Sequence, residues 1–399
     1  MPERPFERVS QRASADRLLV DCVDRLLNSL ARGQKAQWDR DWAEPAASEL
    51  AIERFTYHGM AGFIIDRLKL LVGWPDMVVA AARDRALAVS MWELRHREVL
   101  SRLLDVLASQ RVEAVLLKGS ALAYDLYPNP ALRERGDSDL LVRDSDRDRA
   151  RTVLAQLGYV RRSASGMADR FTYQEEWRWQ AADDTTHFVD LHFQLINSPA
   201  YSAGAGFAEA RDGGRPLPAL GKDAFAPSRP FLLFHACAHR AMHLKTPYFS
   251  AGKVHFGGNR LIWLMDIDRL VRVLTTSEWD RFGTLAIDKN EAASCIDGLK
   301  AAQDILDTPV PRSILDRLAA DYASSSTYTR SGQLRRAWID MRSIPGAGAR
   351  FRYAFARLLP SKAFIRTKYP DMADRPIVIL YARRMAELVT ARRGDGSGG

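Results

Sequence analysis

The stretch Arg133-Glu-Arg-Gly-Asp-Ser-Asp-Leu-Leu-Val142 constrains the fold more than any other. On a strand, alternate residues point the same way, so Asp137 and Asp139 share one face while Leu140 and Val142 anchor the other in a core. Two carboxylates this close repel unless a cation lies between them or one is protonated. A hard divalent ion held by oxygens meets that need, and magnesium typically uses one or two carboxylates plus substrate phosphates.

The neighbouring sequence supplies the rest of such a site. Glu113-Ala-Val-Leu-Leu117 is a short apolar run that stops at Lys118-Gly119-Ser120, as a buried strand does before a tight turn. Ala121 to Tyr127 suits a short helix, ended by Pro128, Asn129 and Pro130. The pattern predicts a helix from Asp144 to Leu157, capped by Asp144 or Ser145 and terminated by Gly158. Strands are expected at Arg170–Tyr173, Trp177–Ala181 and, more clearly, His187–Leu195. Alternation in the last puts Asp190 and His192 on one face, with Val189, Leu191 and Phe193 on the other.

A carboxylate on so apolar a strand is costly to bury alone. Beside Asp137 and Asp139, Asp190 can deprotonate an attacking group or bridge a second metal in an in-line displacement at phosphorus. His192 is expected to hydrogen-bond near the metal. Gly119 and Ser120 sit where free N–H groups and a helix dipole favour an anion, with the Ser120 hydroxyl as a further donor. Arg133 can clamp a polyphosphate. Lys118 can touch phosphate or form a salt bridge at the sheet edge.

Gly-Ser, a short helix, an Asp-x-Asp strand and a third strand aspartate together resemble the polymerase-β-type nucleotidyltransferase superfamily. More closely, Leu117-Lys-Gly119, Leu126-Tyr-Pro128, Arg133, Asp137-Ser-Asp-Leu-Leu-Val142, Gly158-Tyr159 and Val189-Asp-Leu-His192 resemble an uncharacterised bacterial nucleotidyltransferase family. Ser138 departs from the pattern, standing where an apolar residue is usual, and alternation turns it away from the acidic face. The resemblance implies a mixed-sheet core, an NTP donor, magnesium (with manganese as the alternative) and Asp137, Asp139 and Asp190 as metal ligands. The transferred group would be NMP, passed with release of pyrophosphate to a small molecule, peptide or protein. Two other readings stay open: a catalytically silent nucleotide-binding or scaffold protein, and transfer of another moiety such as a sugar.

With 399 residues the chain exceeds one comfortable core. We expect an α+β protein: a helical N-terminal region over 1–110, the nucleotidyltransferase core over 111–200, a Gly/Ala/Pro-rich linker or long loop over 201–230, and a helical C-terminal domain over 231–399. No apolar run of about 18 residues occurs, so no membrane-spanning helix is expected. The polar N-terminus argues against a leader peptide, and Cys22, Cys237 and Cys295 form no disulfide or zinc spacing, which points to a reducing cytoplasm. The terminal Gly-Ser tail is expected to lack structure. His235, His239 and His243 recur every four residues; without an HExxH glutamate they read as a polar helix face sooner than a zinc site. From Arg330 onward, 15 Arg and Lys face 5 Asp and Glu, on a chain whose net charge is +9. Such a block can meet nucleic acid or an anionic surface, but it holds no base-reading motif, and a solvated helical face is the preferred reading.

Overall fold

The computed structural model describes residues 5–42, 45–162, 172–201, 206–245, 248–250, 253–255, 257–372 and 374–394. The architecture is α+β, with one small mixed sheet and helical regions before and after it. Two compact units share the chain: one takes in Met1–Glu98, Leu122–Arg135 and Arg229–Ser325, the other Val99–Ala121, Gly136–Ser228 and Ser326–Gly399.

The second unit holds the sheet, built from β1 (Ala114–Leu117), β2 (Asp137–Val142), β3 (Val160–Arg161), β4 (Gln174–Gln180) and β5 (Thr186–His192) in the order β1-β2-β5-β4-β3. β2 and β5 are parallel, and every other pairing is antiparallel. All of β1 is buried, as its unbroken apolar run requires of a strand covered on both faces. β2 begins at an exposed Asp137 and is buried from there on. After it, Asp144–Asp146 forms one 3-10 turn before the helix Arg147–Gln156, which closes at Gly158 with φ 84. The two strands expected between Arg170 and Ala181 are represented by the single strand β4; Arg170 and Phe171 lie outside the described residues, as does the tail from 395.

The stretch read as linker or loop is organised where it is described. A short helix, Phe207–Arg211, and a two-residue ladder between Arg215–Pro216 and Phe225–Ala226 pack on β1. The glycine pair makes the turn between them. Gly213 takes φ 62, and a Cβ on Gly214 would lie 2.8 Å from the Arg211 carbonyl oxygen.

The first unit is helical. The helices Arg229–Lys245, Leu261–Val273, Thr276–Asp288 and Ala292–Leu306 pack on one another. A Cβ on Gly298 would lie 2.8 Å from Cys237 Sγ, so glycine sets the approach of two of them.

Candidate active site

The parallel pairing of β2 and β5 places Asp139 directly opposite Asp190. Directly paired residues of adjacent strands project from the same face, so alternation adds Asp137 on one strand and His192 on the other. Among the described residues, Asp139, Asp190 and His192 form a group with metal-binding geometry, each offering one ligand atom within 4.8 Å of the others. Asp137 is not a member of that group. It lies at the exposed start of β2, close enough for its charge to act on both Asp190 and Lys118.

The charges inside this group are unequal. Lys118 Nζ lies 2.5 Å from Asp139 Oδ1, and His192 Nε2 lies 2.8 Å from the same oxygen. Burial opposes ionisation of Asp139, yet the Lys118 charge and the His192 hydrogen bond hold its carboxyl well below the usual range. An ionised carboxylate can only accept, so the His192 Nε2 carries the hydrogen and donates it. Burial keeps that imidazole neutral by lowering its affinity for a second proton, and Lys118 acts in the same direction. Lys118 itself is pushed up: burial would lower it, but Asp139, Asp190 and Asp137 outweigh that.

Asp190 goes the other way. Burial, Asp137 and Asp139 raise its carboxyl well above the ordinary value, against a smaller pull from Lys118. The Gln174 side-chain amide donates to Asp190 Oδ2 at 2.5 Å. The charges of Asp139, Asp190 and Asp137 thus all act on Lys118. The sequence reading did not single out Gln174. The signal was available, since Gln174 and Glu176 alternate with the buried Glu175 and Trp177 along β4, on the face that pairs with His192 and Asp190.

The expected phosphate element is arranged differently from a free loop. β1 ends at Leu117 and the helix Lys118–Leu126 starts at the next residue, so Gly119 and Ser120 lie in its first turn. Lys118 makes the junction at φ 46, a left-handed conformation that costs a non-glycine residue about 1 kcal/mol or more. Ser120 is buried, with its hydroxyl 2.7 Å from that of Ser138. Ser138 therefore earns its polar side chain on the face away from the acids, as the partner of Ser120. Arg133 belongs to the helical unit, where its guanidinium grips Asp266 through Nε at 2.8 Å and Nη2 at 2.7 Å. A role on phosphate would require that pair to open. His239 and His243 stack edge-on at 4.6 Å and both pack against Trp263, an aromatic helix face.

As a donor set, the Asp139 and Asp190 carboxylates with the His192 imidazole fit a divalent cation. A family model described as an uncharacterised nucleotidyltransferase matches residues 44–307 of this chain. No curated protein matches it.

Proposed function

The chain belongs to the uncharacterised nucleotidyltransferase family, and from that premise we propose that Asp137, Asp139 and Asp190 hold magnesium, or manganese, for transfer of NMP from an NTP to an acceptor. One observation carries the proposal: the register sets Asp139 directly against Asp190, where the charges of Asp137 and Asp139 both act on Asp190. Like charges held this close persist when a ligand or a proton completes them.

The residues divide the work. Asp139, fixed by Lys118 and His192, stays an oriented, ionised ligand across the working pH range. His192 acts through Asp139, setting which oxygen faces outward. Asp190 has the raised proton affinity of a general base and can accept the proton of an attacking hydroxyl or amine. The acceptor atom bonds to the α-phosphorus as the bond to the bridging oxygen breaks, and pyrophosphate leaves with that electron pair. The bound cation would neutralise charge on the triphosphate and its leaving group. The amides opening the helix Lys118–Leu126, at Gly119 and Ser120, are suited to phosphate oxygens, with Lys118 free to follow the donor once a cation replaces it on Asp139.

Purified protein, each α-labelled NTP, magnesium or manganese and fractionated lysate as acceptor test this reading. Label transfer with pyrophosphate release is expected from the native chain and lost in Asp139→Asn and Asp190→Asn. Nucleotide binding without pyrophosphate release, for all four NTPs and both metals, would leave the silent-binder reading in its place.

A further inference from the structure

Near the C-terminus two helices wear apolar residues on their solvent side. In Ala347–Leu358 the buried face is carried by Tyr353, which packs with Ile344, Met341 and Ala349. The opposite stripe is Phe351, Phe355 and Leu358, at spacings of four and three, exposed at 71%, 54% and 47%. The two phenyl rings lie side by side, 6.3 Å apart. Gln333–Ser343 repeats the arrangement, with Leu334 and Trp338 exposed and the Arg342 guanidinium 4.6 Å over the Trp338 ring. A surface helix ordinarily presents polar residues on that side.

The charge on this face has one sign. Residues 333–358 contain six arginines and a single acid, Asp340. Asp340 is buried and accepts from the hydroxyls of Ser198, Tyr328 and Tyr353, so this segment presents no carboxylate to solvent. Arg335, Arg342 and Arg352 are exposed among the apolar side chains.

We propose that these two helices dock the protein onto the surface of an anionic lipid bilayer. Aromatic and leucine side chains on one side with arginines among them are what an interfacial helix uses: the apolar groups enter the boundary of headgroups and acyl chains, and the cations meet lipid phosphates and carboxylates. Among the described residues no helix is long and apolar enough to cross a membrane, so the contact is peripheral. Charge selects this occupant over two others. A second copy meeting the same face about a two-fold axis would set arginine against arginine with no acid between. A nucleic acid would take the arginines and leave the Phe351–Phe355–Leu358 stripe in water. The proposal does not depend on the metal site.

Vesicle flotation of the full chain tests it, with phosphatidylcholine alone and with phosphatidylcholine–phosphatidylserine mixtures. Binding is expected to the mixed vesicles only, weakening as salt is raised. The double change Phe351→Ser with Phe355→Ser should lower partitioning ~10-fold, since both rings are exposed and their loss leaves the fold intact. Arg335→Gln with Arg342→Gln and Arg352→Gln should lower it comparably and flatten the salt dependence, with the thermal transition of both variants unchanged. No binding to mixed vesicles at low salt overturns the proposal, as does binding indifferent to the phenylalanines. Oligonucleotide binding or self-association abolished by these changes, with no vesicle binding, would overturn it equally.

Discussion

Asp190, half-buried in the sheet unit, and Asp266, buried in the helical unit, are carboxylates that the chain treats in opposite ways. Asp266 is completed from within: Arg133 reaches it with two nitrogens and Tyr127 donates its hydroxyl at 2.8 Å, one positive charge against one negative. Asp190 accepts from the Gln174 amide, and its charge acts on Lys118 together with those of Asp137 and Asp139. The first arrangement is closed and asks nothing of solvent or ligand. In the second, the charges of Asp137 and Asp139 act against Asp190, a crowding that a bound cation would relieve and that burial of an acid alone does not imply.

Breaking the closed pair gives the largest effect. Arg133→Met strands Asp266 without its cation and should cost about 3–5 kcal/mol in urea or thermal unfolding, with Asp266→Leu in the same chain restoring most of it. An Arg133→Met chain of native stability would dissolve the contrast. The open site should respond to ligand instead. Magnesium with NTP at ~100 times its dissociation constant should stabilise the native chain by about 2.7 kcal/mol, and Asp139→Ala should erase the increment without unfolding the protein. Thermal shift with and without chelator reads both.

A third measurement follows the proton on Asp190. Its native carboxyl lies above the unfolded value of about 3.9, so the native state holds a proton that the unfolded chain has released. Stability of the metal-free protein should therefore rise as pH falls through the native value towards the unfolded one, and be lower above it. Asp190→Asn removes this dependence, so its advantage over the native chain should grow with pH, by at most ~1.4 kcal/mol per unit, and vanish in acid. A gap of the opposite sign would mean that Asp190 is already paired. The smallest change is Ser120→Ala, which removes one hydrogen bond from the buried Ser138 hydroxyl and should cost about 0.5–1.5 kcal/mol, with no loss of metal response.

Local pattern carried much of this. Alternation predicted β2 over the residues it occupies, Asp137–Val142, and Gly158 closes the helix expected to end there. The face shared by Asp190 and His192 was also legible, because a period of two fixes it whatever the neighbours. What pairs with what was not legible. The partnership of Arg133 with Asp266 spans 133 residues, and nothing local distinguishes that arginine from one aimed at phosphate. Lys118 suits phosphate or a salt bridge by sequence, and its 2.5 Å contact with Asp139 Oδ1 shows where its ammonium rests. In the 201–230 stretch glycine marks both flexible chain and the tight turn found at Gly213-Gly214, and composition does not separate the two.

The parallel register of β2 and β5 also has a consequence in time. His192 and Asp139 are 53 residues apart in the chain, and a parallel pair cannot close through a hairpin. At ribosomal rates of about 5–20 residues per second, the first carboxylate waits roughly 3–10 s for the strand that completes its surroundings. During that interval the acids cannot trap a divalent ion between two strands. If these acids hold a cation as proposed, its capture would wait until the sheet has assembled, and a chain cut short before β5 would lack Asp190 and His192.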